Sequence, residues 1–347
     1  MFSLRSLFNG SSKARTASPA SSASGEPAPS KVVVDGAPAF DLADHLTFHE
    51  GYPFVDWEAV QGWVGGLDST DLQGRAWTAV EHAWLLHMRV ALGTHFHLSQ
   101  SSEVCLLSSL EANVARATVD FMERTLGRVV RLLDGIAEIP PMGKDLLLVF
   151  DDDESYYRYV SYYYPDAGEF AFSGGMHIDA GCSHYVTVKG DLRTIEPVIA
   201  HELTHGCVGH LPLPMWLNEG LAVSVEQRLT GVRSTHTPQQ LRSKHLAFWG
   251  VEEIQQFWSG SSFQRTDDGN LLSYDLARLL VEHLGKDWQA FKSFALAANA
   301  NDAGASAAQE YLGVQLGELV CALLQQEASA SWEPDVGRWN AANVSSS

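Results

Sequence analysis

The chain has 347 residues, of which 45% are hydrophobic and 19% charged, and this composition is typical of a folded protein with a substantial core. Its 23 basic and 42 acidic side chains give a formal net charge of −19, which repels phosphate backbones and anionic membrane surfaces. We therefore expect neither a nucleic-acid partner nor a membrane partner, whereas a cationic partner such as a metal ion is compatible with this charge.

Residues 1–38 predict a disordered tail, because Ser, Ala, Pro and Gly dominate from residue 9 onwards and bury too little apolar surface to fold. The tail lacks the apolar run of a secretory signal, and no transmembrane helix is predicted elsewhere. The four cysteines form no C-x-x-C pair, which favours a reducing compartment and a cytoplasmic location. Arg5, Lys13 and Arg15, with no acidic residue before Glu26, leave organellar import as the alternative.

Residues 39–92 predict a helical N-terminal segment. Trp and aliphatic side chains recur at three- and four-residue intervals from Asp56 onwards, and Gly65-Gly66 divides the pattern into two helices. "THFHLS" then predicts a short strand, and a long helical period follows until Pro140 and Pro141 stop it.

The middle of the chain combines strands and helices. "DLLLVF" predicts a buried strand, and the acids of "DDDESYYRYV" suit the start of a helix better than a metal cluster. Gly174-Gly175 predicts a turn. "SHYVTVKG" predicts a strand, either an ordinary strand of the sheet or an edge strand that holds an extended peptide. Helical patterns follow, one of them ending at Gly285, and residues 331–347 predict a flexible C-terminus. The expected fold class is therefore α+β.

The stretch "EPVIAHELTHGCVGHLPLPMWLNEGLAVSV", residues 196–225, carries the chemistry. On a helix, His201 and His205 lie one turn apart and about 40° around the axis, so both imidazoles can reach one metal ion. Glu202 is offset by about 100° and suits a general base that does not bind the metal. Pro212 and the proline two residues later force a turn, after which a second helix can direct Glu219 towards the histidine pair as third ligand.

"HELTH" followed by "WLNEGLA" resembles the gluzincin branch of the zinc metallopeptidases, and "WLNEGLA" is similar to the aminopeptidase N type. The 13 residues between His205 and Glu219 are fewer than in those relatives and are more like the small bacterial peptidase-MA-like domains. The resemblance covers residues 94–327 in outline, but only about 25 of them are specific. Residues 39–92 have no counterpart in it.

The resemblance implies a zincin-like domain over residues 93–330, in which a small mixed sheet precedes the H-E-x-x-H helix and a mainly helical part. It implies one Zn²⁺ per chain, bound by His201, His205 and Glu219, and hydrolysis of a peptide or protein substrate with Glu202 as base. Tyr274 is the candidate oxyanion donor by its order along the chain. The chain lacks the G-x-M-E-N motif of aminopeptidases, which favours an endopeptidase or another activity.

Three residues near the ligand candidates are expected to have supporting or structural roles. Asn218 is expected to orient the adjacent Glu219 by a hydrogen bond. Cys207 is expected to be a buried small side chain, and His210 to lie too far around the helix to be a ligand. A packed helix tyrosine explains Tyr274 as well as catalysis does. The competing functions are a structural zinc site and a catalytically inactive zincin-like module that binds a peptide or protein. The sequence leaves the oligomeric state open.

Overall fold

The computed structural model describes residues 21, 22, 25–164, 175–190, 192–232 and 236–339. It has an α+β architecture with a small mixed sheet and a helical C-terminal part, so the predicted class is confirmed. The expected tail residues 1–20, 23 and 24 and the expected C-terminal residues 340–347 lie outside the described part of the chain, as does Gly174 of the expected turn.

The eight strands form one six-stranded sheet, in the order β1-β4-β5-β6-β8-β7, and a separate β2-β3 hairpin. β5, β6 and β8 are parallel, whereas β1, β4 and β7 run antiparallel to their neighbours. The strands are β1 (Ser21–Ser22), β2 (Leu46–His49), β3 (Tyr52–Val55), β4 (His97–Gln100), β5 (Val104–Ser108), β6 (Asp145–Phe150), β7 (Gly175–Asp179) and β8 (Ser183–Val188).

The helices dominate the second half of the described chain. They are α1 (Trp57–Gly65), α2 (Thr70–Leu92), α3 (Ala112–Leu132), α4 (Asp153–Val160), α5 (Leu192–Val208), α6 (Met215–Thr230), α7 (Pro238–Phe248), α8 (Val251–Ser259), α9 (Asp268–Leu284), α10 (Trp288–Ala297), α11 (Ala305–Ala307) and α12 (Leu316–Leu324). Short 3₁₀ turns occupy Leu42–His45, Ser261–Gln264, Ala300–Asp302 and Ala330–Trp332, and a π turn occupies Ala308–Leu312.

The sheet separates two hydrophobic cores. Successive side chains of a strand point to opposite faces, so Leu147 and Val149 of β6 enter the core shared with α3, α5, α6 and α9. Leu146 and Leu148 enter the other core, which is shared with the β2-β3 hairpin, α1, α2 and α4. Both faces of β6 are therefore covered, which explains its continuous apolar sequence.

The N-terminal segment, residues 39–92, contains strands as well as helices, and the folded part of the chain begins before residue 39. It contains the β2-β3 hairpin, whose turn residues Glu50 and Gly51 both have positive φ angles, 51° and 86°, as a tight hairpin turn requires. Glu-Gly is a weaker hairpin signal than Asn-Gly, so the sequence does not predict this hairpin within the segment. Val32 is buried and its backbone pairs with Phe40, so the folded chain starts before the expected boundary.

Three other expectations need correction. The helix expected to run to the prolines ends at Leu132, because Leu133 caps it and a short bridge follows. Gly175 of the expected turn is the first residue of β7. This strand takes the edge position considered for "SHYVTVKG", which forms the interior strand β8. Trp332 is buried, and its carbonyl oxygen accepts a hydrogen bond from Trp258, so the C-terminal segment is packed at this point.

Glu81 of α2 is a buried carboxylate that links this helix to the start of β6. It accepts hydrogen bonds from Trp77 Nε1 at 2.7 Å and from the backbone nitrogen of Lys144 at 2.9 Å. Burial raises the pKa of Glu81 to about 8. Within the described part of the chain, no helix has the length and apolarity needed to cross a membrane.

Candidate metal centre

Two consecutive helices carry the candidate ligands. α5 presents His201, Glu202 and His205, and α6 presents Glu219 after a break in which Pro214 has an extended backbone and precedes the first helical residue. The predicted helix, turn and second helix are therefore present. α6 packs against both α5 and α9, which holds it between the metal-site helix and the C-terminal helices.

The structure brings His201, His205 and Glu219 together, with one ligand atom of each within 4.8 Å of the other two. Glu219 Oε2 lies 3.2 Å from His201 Nε2 and 3.5 Å from His205 Nε2. Ligand atoms placed tetrahedrally about 2.0–2.1 Å from one zinc ion would be about 3.3 Å apart. The observed separations match that spacing before any rearrangement.

The Nδ1 atom of each of the two ligand imidazoles already has a hydrogen-bond partner. His201 Nδ1 lies 3.1 Å from a carboxylate oxygen of Glu226, and His205 Nδ1 lies 2.9 Å from Asn218 Oδ1. Both oxygens accept, so each Nδ1 carries a hydrogen, and each Nε2, which lies next to Glu219 Oε2, can bind a metal ion in place of a proton. Asn218 is expected to orient Glu219, but in the structure it contacts His205 instead.

Glu219 Oε2 provides the test of whether a cation fits. It is buried and has no hydrogen-bond partner among the described residues, although two imidazole nitrogens are close to it. An unpaired buried carboxylate oxygen costs free energy, which a cation shared with the two Nε2 atoms would remove. Two imidazoles and one carboxylate are also a donor set that zinc prefers. The residues present fit a zinc ion.

The local electrostatics couple the four residues. Burial lowers the pKa of His201, but the carboxylates of Glu219 and Glu226 outweigh this effect and hold that pKa well above its ordinary value. Burial raises the pKa of Glu219, but the nearby His205 and His201 outweigh this effect, and the pKa lies well below its usual range. The pocket therefore stabilises Glu219 as an anion facing positive charge.

Glu202 has a different environment from Glu219. It is 8% exposed, and burial raises its pKa even though His201 and His205 act in the opposite direction. Its carboxylate has no hydrogen-bond partner in the part of the chain that the structure describes. A carboxylate with a raised pKa and unused oxygens beside a metal-ligand set has the properties of a general base.

Tyr274 of α9 lies on the His201 side of the centre, with ring centroids 6.3 Å apart. Its ring also packs edge-on against Phe263, with a centroid distance of 5.2 Å. Burial, followed by the charges of Glu219 and Glu202, raises the pKa of Tyr274, so its hydroxyl stays protonated and able to donate. The packed-tyrosine interpretation and the donor interpretation are both compatible with this position.

Glycines allow the close packing that positions the ligands. A Cβ atom on Gly220 would lie 2.6 Å from the carbonyl oxygen of Ala277 and 2.7 Å from Val281 Cγ2, both on α9. A Cβ on Gly206, next to His205, would overlap Tyr185 Oη. Small residues at these two points therefore let α6 approach α9 and let α5 approach the sheet.

The remaining candidate residues lie outside the group of metal-ligand candidates. Cys207 is fully buried in the core, as expected. His210 is close to Glu138, with 3.7 Å between Nδ1 and Oε1, and is not among the three metal-ligand candidates. Asp152 of "DDDE" caps α4 by accepting a hydrogen bond from the Ser155 backbone nitrogen, which supports the helix-start interpretation.

Two residues of the site were not predicted. Glu226 follows Glu219 by seven residues, two helical turns, so the period alone could have placed both side chains on one face of α6. His177 on β7 has its ring centroid 6.1 Å from that of His205. No local sequence signal indicates this contact, because pairing of β7 with β8 creates it.

No protein-family model matches this chain, and no curated protein is significantly similar to it. The function must therefore be argued from the residues of the site.

Proposed function

We propose that this protein is a zinc-dependent peptidase of the gluzincin type with a zincin-like fold. The observation that carries the proposal is the buried Glu219 oxygen, which lacks a hydrogen-bond partner among the described residues and lies 3.2 and 3.5 Å from the two imidazole Nε2 atoms. His201, His205 and Glu219 would bind one zinc ion per chain. When bound, zinc supplies Lewis-acid chemistry, which acidifies water and polarises a carbonyl group.

The chain's own residues supply the remaining catalytic and orienting roles. Glu202 accepts a proton from the attacking water at its carboxylate and transfers it to the amine that leaves, so the base is regenerated when the peptide bond has broken. Glu226 and Asn218 hold the two imidazole rings in the ligating orientation. Tyr274 donates its hydroxyl hydrogen to the oxygen of the scissile carbonyl group as charge develops there.

The substrate is proposed to be an extended peptide or a protein segment. β7 is the edge strand beside α5, and an edge strand can pair with a peptide through its main chain. The chain's net charge of −19 disfavours nucleic acid as substrate. We propose a cytoplasmic location, which four buried free cysteines support.

The test combines metal analysis with a peptide-library digest by wild type and Glu202→Gln. We expect one zinc per chain in both proteins and cleavage only by wild type, because Gln cannot accept the proton. Zinc binding without cleavage by wild type would point instead to the binding module. A chain that retains no metal after zinc loading would contradict both the peptidase and a zinc-bearing module, and would leave only a metal-free binding module.

A further inference from the structure

His177 lies between the edge strand and the metal helix. Its ring centroid is 5.1 Å from that of Tyr185, its partner on β8, and 6.1 Å from that of His205, with a 20° angle between the two imidazole planes. Tyr274 lies at a similar distance, 6.3 Å, from His201. Each of the two ligand imidazoles thus has a second hydrogen-bonding ring close to it, contributed by different elements of the fold.

One ring nitrogen of His177 has a hydrogen-bond partner, and the other has none among the described residues. Nε2 lies 2.6 Å from the hydroxyl oxygen of Ser183 on β8. Nδ1 has no hydrogen-bond partner within the described ranges of the chain, and the side chain is half-buried rather than enclosed in the core. A neutral imidazole carries one N–H, which is on Nδ1 when Nε2 accepts the hydrogen of the Ser183 hydroxyl.

A metal-ligand role does not explain this arrangement. The group of ligand atoms within 4.8 Å of one another contains His201, His205 and Glu219 and excludes His177. A purely structural role would account for the stacking on Tyr185, but it would not require an imidazole with an unused nitrogen at a half-buried position on the strand that packs against α5.

We infer that His177 is a further catalytic residue, a neutral hydrogen-bond donor to the substrate, and this inference rests on the proposed peptidase function. Nδ1–H donates to the oxygen of the scissile carbonyl group while negative charge develops on that oxygen. Ser183 donates its hydroxyl hydrogen to Nε2 and fixes this tautomer. No proton leaves the imidazole, because the hydrogen bond only becomes stronger as charge accumulates.

The experiment compares zinc-loaded wild type with His177→Phe, which keeps an aromatic ring beside Tyr185 but has no nitrogen. Hydrolysis of a peptide chosen from the library digest gives kcat and KM. Binding of a phosphinic peptide of the same sequence gives the affinity for a mimic of the tetrahedral intermediate. The matched control is His49→Phe, since His49 is exposed on β2 and its ring contacts Phe54 and Tyr162 on the other side of the sheet. Zinc content and thermal unfolding are recorded for all three proteins.

We expect His177→Phe to lose about 100-fold in kcat, with KM within about 3-fold of wild type. The phosphinic peptide should bind more weakly by about the same factor as kcat/KM falls, while zinc stays at one per chain. Ser183→Ala should lose about 10-fold in kcat, because the tautomer is no longer fixed. His49→Phe should match wild type in each measurement.

Unchanged kcat and unchanged phosphinic-peptide affinity in His177→Phe would overturn the inference while leaving the peptidase function intact. Loss of zinc together with activity would also overturn it, because His177 would then support the metal site. If wild type itself binds no zinc or cleaves no peptide, the proposed function fails and this inference falls with it. The wild-type measurements identify that outcome before any variant is compared.

Discussion

Replacing Gly220 by Ala tests whether helix packing sets the position of Glu219. The new methyl group would lie 2.6 Å from the carbonyl oxygen of Ala277, about 0.8 Å closer than an ordinary 3.4 Å contact, and the obstacle is backbone rather than a flexible side chain. α6 must therefore move away from α9 by roughly that distance. Because Glu219 is the adjacent residue, its carboxylate moves with the helix.

Two magnitudes follow from this displacement. Overpacking costs about 1–3 kcal/mol of unfolding free energy, and a misplacement near 1 Å in a catalytic constellation costs about 100-fold in rate. The assays are urea denaturation, zinc affinity by competition with a chelator, and peptide hydrolysis. We expect lower stability, weaker zinc binding and slower turnover in Gly220→Ala than in wild type.

Gly127→Ala is the matched control, because Gly127 is an exposed position on α3 where an added Cβ meets nothing within 4 Å. Alanine is the better helix former, so this variant should be more stable than wild type by up to about 1 kcal/mol, with unchanged zinc affinity. If Gly220→Ala is as stable as Gly127→Ala and binds zinc as tightly as wild type, the packing argument is refuted.

Three further predictions concern charge and metal. Glu226→Gln should weaken zinc binding by about 10-fold, measured by chelator competition, because His201 Nδ1 loses its carboxylate partner. In urea denaturation, a chelator should lower the unfolding free energy by about 4 kcal/mol relative to protein in zinc at a thousandfold excess over Kd, because a metal ion that binds only the folded state stabilises it by mass action. Glu81 should keep its proton in the folded state up to about pH 8, whereas in the unfolded chain it ionises near its ordinary pKa of 4.5, so stability falls as pH rises through this window. Urea denaturation at several pH values should show a smaller fall for Glu81→Gln.

The sequence predicted the site better than its surroundings, because the ligand spacing depends on helix geometry alone. His201 and His205 are fixed by the i, i+4 period, and Pro212 and the following proline limit the connection to α6. Glu219 therefore has few places to lie once both helices form. The same helical period also places Glu226 on the face of α6 that carries Glu219.

The edge of the sheet was not predictable in the same way. β7 begins at Gly175 and gains its identity by pairing with β8, and such non-local pairing leaves a weak local signal. The resemblance to peptidase-MA-like domains favours an edge position for β8, whereas its β-branched and aromatic residues do not distinguish an interior position from an edge. The contact between His177 and His205 depends on this topology, so sequence reasoning could not find it.

X-ray absorption at the zinc edge of the zinc-loaded protein, combined with zinc-edge anomalous diffraction, tests the central claim most directly. We predict one zinc ion per chain, with two imidazole nitrogens at about 2.0–2.1 Å and carboxylate oxygen as the third protein ligand. The anomalous peak should lie between His201, His205 and Glu219. A peak bound by other residues, or no zinc retained after loading, would contradict the account.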